Sequence, residues 1–174
     1  MKVGSIIVLL LLSAPIWGAP TEDQVRELTD RMLDARRVDQ PLEEIVEPHV
    51  DRAAMARLAL GRLWERADAD QRRRFAAVLE RATIAAWSGQ LNGFGTRSVM
   101  LIPYRPLRAL AIVEIVGEGG ERREIALRLA RRGGHPWRIY DVVVNGESLV
   151  MRHRSALRKQ MRRGDFEGLI AALD

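Results

Sequence analysis

The sequence predicts an α+β fold: a curved antiparallel sheet of about four strands packed against N-terminal and C-terminal helices, enclosing an apolar cavity. Three observations predict it. Apolar residues recur with a helical period up to about Gln90, the period falls to two beyond Thr96, and it returns to helical after Ser148. Runs of strands segregated from runs of helices fit α+β architecture and not an alternating α/β sheet.

The first nineteen residues stand apart. Lys2 precedes an unbroken apolar run from Ile6 to Leu12, followed by small and turn-forming residues through Ala19. This is the pattern of a secretory signal peptide, with cleavage after Gly18 or Ala19. The run falls well short of the roughly 20 apolar residues that span a bilayer. Residues 20–174 then form one domain, long enough to bury roughly 68–70% of its unfolded surface. No cysteine is present, which excludes a disulfide framework and any thiolate-ligated metal and accords with export to an oxidising compartment.

Helix one is expected over Glu22–Arg37, because Thr21 and Gln24 have capping-box spacing and Val25, Leu28, Met32 and Leu33 follow on one face. Pro41 opens a short helical turn through Val46. Asp51 caps a third helix ending near Gly61, and Asp68 caps the longest, from Ala69 to about Gln90. Strands are expected over Ser98–Tyr104, Ala109–Val116, Arg122–Arg131 and Trp137–Val144. In the third, Ile125, Leu127 and Leu129 alternate with Glu124, Arg128 and Ala130, which predicts one wet face. The glycine clusters at 117–120 and 133–134 join them as a meander. Glu147 and Ser148 open a helix to Arg163 that lays Leu149, Val150, Ala156, Leu157 and Met161 on the core. Gly164 stops it, and Asp165 caps a last helix over Phe166–Leu173.

Catalytic signatures are scarce. His49, His135 and His153 are far apart with no i, i+4 partner, so no metal site is predicted. Gly117–Gly120 joins two strands, whereas a phosphate loop joins strand to helix. No G-x-S-x-G elbow occurs. The one enzyme candidate is Asp141, a carboxylate that would serve as a proton shuttle if it faced an apolar cone; the structural alternative pairs it with an arginine such as Arg154. Arg72–Arg74 and Arg162–Arg163 lack the interleaved aromatics of a single-strand nucleic-acid groove. Charge is uneven: residues 20–96 hold 12 arginines against 14 acids, and residues 97–174 hold 15 basic residues against 9 acids. Such asymmetry marks a face for anions or an acidic partner.

Two long motifs carry a resemblance. The stretch from Asp51 to Leu91, beginning DRAAMARLALGRLWERA, follows the pattern D-x-x-x-M-A-x-x-x-L-G-x-x-W-x-x-A-x-x-x-Q-x-x-x-F-x-x-x-L. The stretch from Trp137 onward, WRIYDVVVNGESLVMRHR, follows W-x-x-Y-D-V-x-V-x-G-x-S-L-V-x-x-x-R. Gly61, Trp64, Gln71, Phe75, Trp137, Tyr140, Asp141, Gly146, Ser148, Leu149, Val150 and Arg154 fall on the matching positions. The chain thereby resembles the MlaC, or toluene-tolerance, family of periplasmic phospholipid-binding proteins. It departs from the pattern at Trp87 and His153, where tyrosine is usual, and at Ala156, near a common aromatic.

The resemblance implies a monomeric periplasmic lipid carrier without cofactor. Its partners would be an outer-membrane lipoprotein and porin complex and an inner-membrane ABC transporter with a ring-shaped substrate-binding subunit, and its role would be to maintain outer-membrane lipid asymmetry. Periodicity then nominates Trp64, Phe75, Leu79, Trp87, Leu101, Ile112, Ile125, Leu127, Ile139, Val142 and Leu149 as cavity wall. Arg152, Arg158, Lys159, Arg162 and Arg163 face outward and would meet headgroups or acidic partners. A phospholipid or a hopanoid-like terpenoid would each fit such a cavity.

Overall fold

The computed structural model of the protein describes residues 20–105, 107–133 and 135–174; the expected signal peptide lies outside them. Helix α1 spans Glu22–Arg37, and both arms of its capping box form, Gln24 N donating to Thr21 Oγ1 at 3.2 Å and Thr21 N to Gln24 Oε1 at 3.1 Å. Helix α2 covers Glu43–Val46, and a single 3₁₀ turn, Glu47–His49, carries the chain to Asp51. The Asp51 carboxylate caps α3, Arg52–Leu60, by accepting from Ala54 N at 2.9 Å. A one-turn helix α4, Leu63–Arg66, follows; four residues are too few to declare a period. Helix α5, Ala69–Ser88, starts from a second capping box between Asp68 and Gln71 and ends two residues before the expected stop.

Among the described residues the sheet has five strands in the order β1-β2-β3-β4-β5, all antiparallel: β1 Phe94–Arg105, β2 Arg108–Gly117, β3 Arg122–Ala130, β4 Arg138–Val144 and β5 Glu147–Ser148. Strand β1 begins four residues earlier than alternation indicates. A register shift between Thr96 and Ser98 inserts Arg97 and breaks the period there, although Phe94–Thr96 pair with Gly117–Ile115. Further shifts at Pro103/Arg105 and at Arg128/Leu129 bend the ribbon. Asn145 and Gly146, at φ of 50° and 83°, make a two-residue hairpin from β4 to β5, since both central positions of such a turn need positive φ.

Beyond β5 the single helix expected to Arg163 is two: α6 Leu149–Ala156 and α7 Arg158–Arg163, broken at Leu157. The break changes the phase of the buried stripe, so Leu149, Val150 and Leu157 are buried while Ala156, expected on the core, is exposed. Gly164 ends α7 in the left-handed conformation at φ 66°, and Asp165 caps α8, Phe166–Ala171, through Gly168 N.

One apolar cluster fills the layer between the helices and one face of the sheet. Cross-strand rows build that face: Val99, Val113, Ile125 and Val144 in one, Leu101, Ala111, Leu127 and Val142 in the next. Full burial of a Val, Leu, Ile or Phe contributes about 1.5–3 kcal/mol, so this layer is the main source of stability. The opposite face is less wet than the third strand suggests. Its rows include Met100, Ile112, Ala126 and Val143, and Ala126 and Ala130 are buried there.

Candidate functional site

Ten of the eleven nominated wall residues converge. Trp64 from α4, Phe75, Leu79 and Trp87 from α5, Leu101 from β1, Ile125 and Leu127 from β3, Ile139 and Val142 from β4, and Leu149 from α6 belong to or pack against the one apolar cluster. Ile112 does not join them. On β2 the buried positions are Ala109, Ala111, Val113 and Ile115, which puts Ile112 on the far face with Glu114. Both phases of this strand are apolar, so Glu114 is the residue that sets the phase, and it places Ala109 and Ala111 at the centre of the inner face.

Polar groups in this layer are few. Thr29 and Thr83 donate back into their own helices, to Val25 O at 2.8 Å and Leu79 O at 2.7 Å. The indole nitrogens of Trp64 and Trp87 are buried without an acceptor among the described residues. Trp64 is held by two arginines: Arg57 and Arg72 lie 5.5 and 5.2 Å from its ring centroid, and Arg72 Nε donates to Trp64 O at 3.0 Å. Arg73 pairs with Asp70, and Arg74 with Asp70 and Glu167, so the triple-arginine run is committed within the fold.

Asp141 does not face this layer. It lies in register with Arg128, fully buried, where Arg128 Nη1 donates to it at 2.9 Å, Ser148 Oγ lies 2.8 and 2.9 Å from its two oxygens, and Val150 N donates at 3.4 Å. Burial pushes its carboxyl above the usual range, while Ser148, Arg128 and two backbone N–H groups pull the other way. Ser148 also caps α6 by accepting from Met151 N. The group therefore ties β3, β4, β5 and α6 together as a structural joint. Its arginine is Arg128 and not Arg154, which donates to Leu58 O at 3.2 Å and Ala59 O at 2.8 Å at the end of α3. Burial lowers the pKa of His49 and His153, so both are biased toward the neutral form. Among the described residues no group of three or more His, Cys, Asp or Glu could hold a metal ion.

The five outward basic residues are exposed. Arg158 and Arg162 line a cleft of about 280 Å³ with Met151, Arg154, Ser155 and Met161. Arg154 and Met161 also line an adjoining cleft of about 330 Å³ with Leu60, Leu63, Arg62 and Arg66. Arg62 and Arg66 come from α4 and its first flanking residue, which the sequence does not reveal as a helix. Among the described residues no carboxylate lines either cleft. Arg152 is drawn aside to Glu147 at 3.8 Å, and Lys159 and Arg163 lie outside the clefts.

The fold resembles a phospholipid-binding protein from Ralstonia solanacearum whose structure was solved in complex with a phospholipid. The TM-score is 0.70 at 20% identity, over 90% of this chain and 96% of that one. No curated protein matches the sequence. Among the described residues no helix is long and apolar enough to cross a membrane. The family model described as MlaC protein matches residues 21–174, and the chain belongs to that family.

Proposed function

We propose that the protein is an exported periplasmic carrier that holds the acyl chains of a phospholipid between its helices and the inner face of its sheet. The observation that carries this reading is the apolar layer itself, a continuous cluster from α1 to α8. Thr29 and Thr83 are satisfied within their helices and Glu80 pairs with Arg52 through one oxygen, while the Trp64 and Trp87 indole N–H groups are among the buried polar atoms left without a partner in the described residues. Two acyl chains of about 16 carbons cost on the order of 25 kcal/mol to hold in water, at about 0.8 kcal/mol per CH₂. Acyl chains entering between α5 and β3–β4 exchange one set of apolar contacts for another, so little burial is lost. The Trp64 and Trp87 N–H groups gain an acceptor from an ester carbonyl.

Family membership and the phospholipid complex of the structural relative support the cargo. The carrier shuttles lipid between an outer-membrane lipoprotein and porin complex and an inner-membrane ABC transporter, which maintains outer-membrane asymmetry. Arg158 and Arg162, at clefts lined by no acid, dock acidic surfaces of those complexes. Transfer of a fluorescent diacyl phospholipid from donor to acceptor vesicles tests the reading. Transfer that grows with protein concentration is expected; no transfer by folded protein overturns it. A terpenoid cargo is recognised by transfer of a labelled polycyclic lipid in its place.

A further inference from the structure

The β1–β2 hairpin holds a second apolar surface, on the face of the sheet opposite the apolar layer. Among the described residues five large hydrophobic side chains are exposed, and three are on it: Met100, Ile102 and Leu107, at 50, 38 and 53%. Cross-strand pairing extends the surface, since Ile102 lies opposite Leu110 and Met100 opposite Ile112, both half-buried. Leu107 is held at φ 59°, a conformation that a bulky residue adopts at a cost and that glycine adopts freely. A turn that keeps an exposed leucine there spends stability on presenting it.

Charge is polarised along the same strands. Residues 97–138 contain nine arginines and four acids, and all four acids, Glu114, Glu118, Glu121 and Glu124, lie toward the β2–β3 turn. The opposite end, where Leu107 sits, carries Arg105, Arg108, Arg128, Arg131, Arg132 and Arg138; the nearby Asp51 is engaged by Arg132 and Asp141 by Arg128.

We propose that this end of the hairpin docks on an anionic lipid bilayer, with Leu107, Ile102 and Met100 entering the headgroup region and Arg105 and Arg108 meeting lipid phosphates. An apolar surface with arginines gathered at its Leu107 end, and acids only at the other end where Glu114 follows Ile112, is the pattern of an interfacial anchor that enters by its basic tip. A second copy of the chain fits it poorly, because face-to-face contact sets arginines against arginines. Pairing along the free edge of β1 is also obstructed, since Leu101 N already donates to Glu22 Oε1 of α1 at 3.2 Å. This surface is separate from the acyl-chain layer, and bound protein is scored independently of lipid cargo, so failure of either reading leaves the other standing.

The test is flotation of the purified protein with phosphatidylcholine vesicles, with and without phosphatidylglycerol. Flotation with the anionic vesicles only, weakening as salt is raised, is expected. Arg105→Ala lowers the partition about fivefold, as loss of one interfacial arginine does. Leu107→Gly lowers it further while its unfolding midpoint stays the same or rises, and Met100→Asp with Ile102→Asp abolishes it. The proposal is overturned if folded protein stays with the buffer, or if Leu107→Gly and Arg105→Ala float as the parent does. A dimer in solution that Met100→Asp dissociates would equally overturn it by assigning the face to a second copy.

Discussion

Arg154 and Gly61 occupy one piece of space: a Cβ at position 61 would lie 2.8 Å from the Arg154 guanidinium, which reaches past it to the carbonyls of Leu58 and Ala59. The two long motifs of the sequence meet at this contact, a glycine of the first against the arginine of the second. Gly61 sits at φ 57°, ψ −126°, a conformation essentially reserved for glycine, and the arginine satisfies carbonyls that the end of α3 leaves open.

Gly61→Ala should therefore destabilise the protein by about 1–3 kcal/mol through backbone strain alone, with displacement of Arg154 added. Arg154→Ala should cost about 1–3 kcal/mol by orphaning the α3 carbonyls. Because both changes disturb one contact, the double variant should cost less than the two together. Urea unfolding of the three variants measures this, and simple additivity would separate the two residues.

The joint at Asp141 gives a pH signature. Its folded pKa lies above its unfolded value, so the folded state binds the proton more tightly. The contribution to stability is then largest at low pH and is lost as pH rises from the ordinary aspartate range through the raised folded value. Asp141→Asn should remove that slope and keep the fold, since an amide oxygen still accepts from Ser148. The comparison is the urea midpoint of both proteins across acidic pH; parallel curves would mean that burial does not govern the group.

His153 acts in the opposite sense. Its folded pKa is lowered by burial and by Arg152, so its contribution is present above the unfolded value of 6.5 and is lost as pH falls below it toward the folded value. His153→Gln should flatten the acid side of the stability curve just below that pH. A curve that keeps its shape would place the imidazole in water.

Most of this fold was legible in local chemistry. Capping at Thr21, Asp51, Asp68 and Asp165 set the helix starts, and alternation set the middle strands, because both signals lie within a few residues of what they specify. The misses have physical causes of longer range. Arg97 as an inserted residue hid the start of β1, the Leu157 break moved Ala156 to solvent, and two apolar phases on β2 put Ile112 on the wrong face until Glu114 is allowed to choose. Asp141 was visible as a notable acid, but its partner Arg128 is fixed by a register that includes a shift beside it.

The basic clefts give a further expectation. Arg158→Glu with Arg162→Glu alters exposed side chains, so stability should change by less than about 0.5 kcal/mol. Binding to the proposed partner, the ring-shaped subunit of an inner-membrane transporter, should weaken and lose its salt dependence. Interferometry across a salt series reads this; unchanged binding would assign docking to another face.

The most direct test of the carrier itself is native mass spectrometry of the protein purified from a periplasm without detergent, beside Ala111→Leu, which adds bulk at the centre of the inner face. One added diacyl phospholipid mass is expected on the parent protein, and a smaller bound fraction on the folded variant. A folded parent protein that is wholly free of lipid, or a variant that carries as much as the parent, would contradict the carrier reading.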